Sequence, residues 1–287
     1  MKGKGKFSKR KLGLPAALLF CSVFFVAGFF GSTLIFQDAP SVRPRLRMLE
    51  VVEEKKRVPM AHGETGEEFI ESIPFQVLSW RPRALYFPQF ATAQQCERII
   101  EMAKVNLKPS ALALRKGETV ENTKGTRTSS GTFISASEDE TGVLDAVERK
   151  IARATMVPHT HGESFNILRY ELGQKYDSHY DVFNPAEYGP QSSQRIASFL
   201  LYLSDVEDGG ETMFPFENGS NIGTGYDYKQ CIGLKVKPRR GDGLLFYSVF
   251  PNGTIDKTSL HGSCAVLKGE KWVATKWIRD QDQDLEE

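Results

Sequence analysis

From residue 163 onward, short apolar runs alternate with clusters of turn residues, a rhythm of strands rather than helices. Residues 165–170 (FNILRY), 195–203, 235–237, 243–247 and 271–279 read as strands. Gly173, the stretch PRRGDG at 238–243 and Lys268-Gly269 mark turns between them. In the last strand Lys271, Val273, Thr275 and Trp277 share one face, because alternate side chains of a strand point the same way. Nearer the N-terminus, residues 75–80 and 84–87 read as a strand pair around Arg81-Pro82-Arg83. Two segments change period. Over residues 92–104, Cys96, Ile99, Ile100 and Ala103 recur at helical spacing behind a Thr92 cap. Over residues 141–155, Val143, Leu144, Val147 and Ile151 do the same. The pattern predicts a β-dominated α+β fold, a jelly roll or barrel with helices packed outside it.

Residues 108–130 break the rhythm and are rich in Lys, Gly, Thr and Asn. They read as a loop beside the barrel, either folded over a ligand or simply solvated. Charge is nearly balanced at +1, which gives no reason to expect nucleic-acid binding. No internal repeat is visible.

The N-terminus differs. Lys2, Lys4, Lys6, Lys9, Arg10 and Lys11 precede an uncharged run at 12–36. As a helix that run measures about 37 Å, enough for a hydrocarbon core of about 30 Å. A cleaved signal peptide has a shorter apolar region. The expectation is a cytosolic basic tail (1–11) and an uncleaved signal-anchor helix (12–36), with the rest luminal by the positive-inside rule. Arg43, Arg45 and Arg47 follow the span but are offset by Glu50, Glu53 and Glu54. A luminal stem (37–72), a catalytic domain (73–280) and an acidic tail (281–287) complete the division, in a single-pass type II protein of the endoplasmic reticulum or Golgi membrane. Sequons at Asn218 and Asn252 agree with a luminal glycoprotein. Of the four cysteines, Cys21 lies in the span and Cys96 on the first helix, where it reads as a buried thiol. Pairing cannot be deduced from sequence alone, although a lumen permits it.

The chemistry resides in His179-Tyr180-Asp181, then His261, then Lys271. On a strand His179 and Asp181 face the same side and can bind one metal, with His261 as a third ligand. Two histidines and one carboxylate leave three positions open, the arrangement of a non-haem Fe(II) site. An isolated His-x-Asp also fits a surface pair or a satisfied core pair. Lys271 alone would be a solvent-facing strand lysine; after the triad it suits the far carboxylate of a cosubstrate. His159-Thr160-His161 has the same spacing, but no matching acid and cation follow, and it reads as solvated loop.

The stretch SLHGSCAVLKGEKWVATKWI (259–278) resembles the C-terminal signature of the plant-type, membrane-anchored prolyl 4-hydroxylases, which are Fe(II)/2-oxoglutarate-dependent dioxygenases. So do LRYELGQKYDSHYDVFNP (168–185), YLSDVEDGGETMFP (202–215) and RTSSGTF (127–133), in the same order. The resemblance covers about residues 75–279. It implies a double-stranded β-helix of cupin type that uses Fe(II), 2-oxoglutarate, O2 and ascorbate. The activity implied is of the procollagen-proline 4-dioxygenase type. It hydroxylates C4 of peptidyl proline in proline-rich secretory or cell-wall glycoproteins and releases succinate and CO2. His179, Asp181 and His261 would hold iron. Lys271, Tyr170 and Thr212 would hold 2-oxoglutarate, although Tyr170 also fits a core residue and Thr212 a turn residue. Tyr176, Glu163, Arg195 and Trp277 would line the peptide groove, although Trp277 also fits the core and Arg195 a strand start. The resemblance places cysteines at both 231 and 264, implying a Cys231–Cys264 disulfide. Assembly with itself or with related hydroxylases is open.

The sequence departs from the family's usual pattern at Ala265, where proline is common, at Tyr247 for tryptophan, at Lys257 for proline and at Arg279 for histidine. None removes a metal or cosubstrate group; Tyr247 and Arg279 bear on peptide preference. The same fold also serves hydroxylases of other side chains, such as lysine, and an inactive membrane protein that binds proline-rich chains.

Overall fold

The computed structural model describes residues 22–24, 26 and 72–283. The expected signal-anchor, most of the stem and the last four residues lie outside them, apart from exposed helical residues at 22–24 and 26. Among the described residues no helix is long and apolar enough to cross a membrane. Contacts divide the chain into residues 1–70 and 71–287, and the second unit carries the fold described below.

In chain order it contains β1 (Gln76–Trp80), β2 (Arg83–Phe87), α1 (Ala93–Lys104), β3 (Lys108–Pro109), β4 (Ser130–Ile134), α2 (Val143–Thr155), β5 (Phe165–Tyr170) and β6 (Tyr176–His179). A one-turn α3 (Pro185–Tyr188) follows, then β7 (Arg195–Tyr202), β8 (Asp208–Gly209), β9 (Thr212–Phe214), β10 (Leu234–Val236), β11 (Gly243–Tyr247), β12 (His261–Ser263), β13 (Val266–Lys268) and β14 (Lys271–Arg279). Eight strands form one antiparallel sheet in the order β1-β2-β11-β7-β14-β5-β4-β3. A second sheet runs β10-β9-β12-β6, and β13 pairs with β8. The architecture is antiparallel and β-dominated, of jelly-roll character, as the strand rhythm predicts.

The central strands of the large sheet, β5, β7, β11 and β14, are buried on both faces, and the period of two assigns each side chain. Phe165 and Ile167 of β5, Ala197, Phe199 and Leu201 of β7, and Trp272, Ala274 and Ile278 of β14 face α1 and α2. There they meet Cys96, Ile99 and Ala103 of α1 and Leu144, Val147 and Ile151 of α2. The alternate residues, Leu168, Tyr170, Leu200, Tyr202 and Val273, meet Phe214 and Val236 of the second sheet. Lys276 breaks the apolar outer row, and its ammonium pairs with Glu148 of α2.

Thr92 caps α1 in a reciprocal capping box with Gln95, each taking the other's backbone N–H. The second helix begins two residues later than the apolar spacing predicts. Asp139 accepts the backbone N–H groups of Thr141 and Leu144, and Gly142 with φ 70° is the N-cap, so residues 141–142 make the turn that enters the helix. Gly209 has φ 74°, and a Cβ there would stand 2.2 Å from the Ala265 carbonyl oxygen, so the β8–β13 pairing requires glycine.

Phe199 joins the helices to the sheet, with its ring 4.6 Å from Phe90 and 5.7 Å from Phe87. Phe199→Ala is expected to lower unfolding stability by about 3–5 kcal/mol in denaturant titration. Thr92→Ala is expected to lower it by about 1 kcal/mol.

Candidate active site

The second sheet brings the two histidines together. β12 pairs with β6 in a register that sets His261 opposite His179, with ring centroids 4.4 Å apart. Asp181 lies beyond the end of β6, in a bend, and is buried. His179 Nε2 stands 3.6 Å from Asp181 Oδ1, and His261 Nε2 3.5 Å from Oδ2. The ligand atoms of the three residues all lie within 4.8 Å of one another. Each imidazole is turned by a backbone carbonyl. His179 Nδ1 bonds Asp177 O at 2.9 Å and His261 Nδ1 bonds Ser259 O at 3.0 Å. A carbonyl only accepts, so Nδ1 carries the proton and Nε2 presents its lone pair.

Electrostatics agrees with that state. Burial pushes the His261 pKa down to about 4, against the pull of Asp181, so the ring is neutral at physiological pH. Burial pushes the Asp181 carboxyl up, but His261 and His179 outweigh it and hold the group well below the usual carboxylate range. Two imidazoles with Nδ1 held by a carbonyl and Nε2 turned inward, and an ionised carboxylate, converge on one point and form a nitrogen–oxygen set that fits Fe(II).

Glu211, Cys231 and Cys264 also cluster. The two sulfurs are bonded to each other, so they offer no thiolate. His159 and His161 lie on a short 3-10 turn with no acid alongside. His161 is not the solvated residue that the sequence suggests: it is half-buried, and its Nδ1 meets Arg279 O at 3.0 Å.

Beside the triad lies a narrow inner cavity. Its polar end contains Lys271, Tyr170, Thr212 and Ser263, and its sides Leu168, Leu200 and Val273. Lys271 opens β14 directly opposite Tyr170 of β5 and is 1% exposed. Its Nζ donates to Ser263 Oγ at 2.8 Å and, among the described residues, has no carboxylate within ion-pair distance. Burial pushes its pKa down to about 7, against a weaker pull from Glu211. Thr212 Oγ1 accepts a bond from Tyr202 at 2.8 Å. A buried cation with a spare hydrogen-bonding capacity, an apolar shaft and three ligands at its other end fit a cosubstrate with a carboxylate at one end and a chelating group at the other.

A larger cleft of about 1050 Å³ opens over the triad. Tyr176, Arg195 and Trp277 line it, together with Arg127, Phe183, Tyr188, Tyr226 and Tyr228. Residues 108–113 and Arg115 of the polar loop form part of its wall. Asp177 N–H donates to Thr126 O and Thr128 N–H donates to Lys175 O, which fastens the loop's far end to β6 and the residue before it. Tyr176 stacks on His179 at 3.6 Å, and the Arg127 guanidinium stands 4.7 Å from the Tyr176 ring. The Arg195 guanidinium lies 3.6 Å from the Trp277 ring, whose buried Nε1 bonds no protein atom. Glu163 departs from expectation and is not part of the cleft lining. Its carboxylate takes both Arg195 (2.6 and 2.7 Å) and Arg279 (2.7 Å), so it braces Arg195 from behind.

Ser198, Ser263, Tyr202 and the Tyr226–Tyr228 wall are absent from the sequence reading. Ser263 carried a signal: it is two residues after His261 on a strand, hence on the same face. The others depend on pairing between distant strands, which no local pattern records. The sequons at Asn218 and Asn252 are exposed.

Because Lys271's folded pKa lies below its value of 10.5 in an unfolded chain, the unfolded state binds more protons between pH 7 and 10.5. Stability without cosubstrate therefore rises with pH across that window. Below it, the folded protein bears the whole penalty of an unpaired buried charge. Lys271→Met is expected to abolish 2-oxoglutarate binding in calorimetry. It should also raise unfolding stability at pH 6 by about 2–4 kcal/mol, a gain that shrinks as pH rises.

The family model of the 2OG-Fe(II) oxygenase superfamily matches residues 165–279. Probable prolyl 4-hydroxylase 9 of Arabidopsis thaliana is 80% identical over 280 residues, covering 97% of each chain. Prolyl 4-hydroxylase 13 of the same plant is 54% identical over 99% of this chain and 100% of its own. Among solved structures, the 2OG complex of a viral collagen prolyl hydroxylase from Paramecium bursaria Chlorella virus-1 superposes with a TM-score of 0.50 at 25% identity. It covers 68% of this chain and 95% of the viral one. A paired-histidine and carboxylate site, an internal lysine and these relatives lead to one conclusion: the chain belongs to the plant prolyl 4-hydroxylases of the 2-oxoglutarate–Fe(II) oxygenase superfamily.

Proposed function

We propose that the protein hydroxylates C4 of peptidyl proline, with 2-oxoglutarate and O2 as cosubstrates and Fe(II) as the metal. The observation that carries this is the juxtaposition of the His179–Asp181–His261 cluster with Lys271, a buried cation lacking a counter-charge. When bound, Fe(II) supplies coupled oxidation: 2-oxoglutarate becomes succinate and CO2, and the proline C–H bond becomes an alcohol.

The protein's groups bind, orient and exclude. His179, Asp181 and His261 would hold the metal. Lys271, with Tyr170 and Thr212, takes the distal carboxylate and so fixes which end of the cosubstrate reaches the metal. Leu168, Leu200 and Val273 keep water from the shaft. Both sheets enclose the site in the manner of a double-stranded β-helix. Tyr176, Arg195 and Trp277 form the groove for a proline-rich chain. A polyproline II segment is already extended and loses little entropy on docking against aromatic faces. The Arg195 guanidinium covering Trp277 gives the groove a flat cationic edge. Ascorbate is the reductant that restores iron oxidised in unproductive cycles. The basic tail and apolar run at 12–36 anchor the protein in the endoplasmic reticulum or Golgi membrane, with the catalytic domain luminal. There it meets secretory and cell-wall glycoproteins, carries glycans at Asn218 and Asn252, and has access to related hydroxylases as assembly partners.

The test is turnover of the purified protein with Fe(II), 2-oxoglutarate, ascorbate and a proline-rich peptide, read as succinate release and one oxygen added at proline C4. Asp181→Ala and His261→Ala are expected to lower both products at least about a hundredfold. Succinate without hydroxyproline would move the activity to another side chain. Neither product, from wild-type protein with metal and cosubstrate bound, would overturn the reading.

A further inference from the structure

Each of the three candidate ligands is steadied from behind by one protein atom. The histidines lean on backbone carbonyls. Asp181 leans on a side chain: Ser198 Oγ donates to its Oδ2 at 2.5 Å. Ser198 lies within β7, opposite Phe246 of β11 and Trp277 of β14, and is 0% exposed. It has the parity of Leu200 and Tyr202, so it faces the interior between the sheets. A hydroxyl buried there without a partner is destabilising, and the Asp181 carboxylate supplies that partner.

Asp181 needs such a hold. β6 ends at His179, so Asp181 lies outside the ladder that fixes its histidine neighbour. Its carboxylate turns about a soft torsion and has two oxygens to offer. A site of two histidines and one carboxylate leaves three positions open only while the carboxylate binds through one oxygen. If both oxygens bind, one position is lost, and a cosubstrate that chelates through two atoms leaves no room for a further ligand. A charge-assisted hydrogen bond on Oδ2 engages one of its lone pairs and sets the carboxylate plane.

We propose that Ser198 is a positioning residue of this site, holding the Asp181 carboxylate so that it presents one oxygen to the metal. The proposal rests on the metal reading of the triad. It goes beyond that reading by assigning a role to a serine that touches neither metal nor substrate. Ser248 provides the contrast. It follows the neighbouring strand β11 and is equally buried, and its hydroxyl bonds nothing.

The experiment uses the whole protein loaded with Co(II), without turnover, and reads metal affinity and the visible absorption of the metal with and without 2-oxoglutarate. Ser198→Ala is expected to weaken metal binding about 10–100-fold and to alter the absorption of the 2-oxoglutarate complex. Ser198→Thr, which keeps the hydroxyl, should return both toward wild type. Ser248→Ala should leave both unchanged. Co(II) affinity of Ser198→Ala within about twofold of wild type, with an unaltered spectrum, would overturn the proposal, even if thermal stability fell. In that case the triad reading survives, because wild type still binds Co(II). Failure of wild type itself to take up metal removes both.

Discussion

Lys271 places an ammonium at 1% exposure with one serine hydroxyl as its bonded partner. A charge so placed opposes folding unless something neutralises or pairs with it. No residue in the cavity pairs with it, and burial alone draws its pKa down to about 7. Loss of the proton is one relief of this penalty, and a bound carboxylate would be the other. β14 carries the lysine in the interior of the large sheet, flanked by β7 and β5. The apolar rows of those strands seal it from solvent on both faces. The opposite end of the cavity meets the triad, so a ligand drawn in by its charge would present its other end to His179, Asp181 and His261.

The triad depends on a second constraint, the register between β6 and β12. A slip of one residue would turn His261 to the other face and disperse the cluster. Several features secure that register. Ser259 O directs His261, and Asp256 in turn accepts the Thr258 N–H and hydroxyl in the turn just before β12. The Cys231–Cys264 bond ties the residue after β12 to the loop that bears Tyr226 and Tyr228. Stability and site geometry are therefore set by the same pairings.

Much of this was legible in the sequence, for identifiable reasons. The strands at 165–170, 195–203 and 271–279 announce themselves because apolar and β-branched or aromatic residues dominate them between turn signals, the mark of strands buried on both faces. The period of two correctly put Lys271, Val273, Thr275 and Trp277 on one face. The α1 boundary follows from Thr92, whereas the α2 start lies two residues later than the spacing predicts, because Gly142 is the N-cap and Asp139, outside the periodic stretch, accepts the Leu144 N–H. Motif order, more than any single residue, indicated the site. What remained hidden was contact between distant strands: Ser198 against Asp181, the double embrace of Glu163 by Arg195 and Arg279, and the tyrosines of the 216–233 loop beside the cleft. Glu163 shows the limit clearly, since an acidic residue suited to a groove is used to hold one of the groove's arginines.

Calorimetric titration of 2-oxoglutarate into the metal-loaded protein at pH 8, in two buffers of different ionisation enthalpy, tests the central claim most directly. If Lys271 is largely neutral before binding and charged after it, complex formation takes up close to one proton at pH 8 and almost none at pH 6. Tight binding with no proton uptake at pH 8, or binding retained in Lys271→Met, would contradict the account.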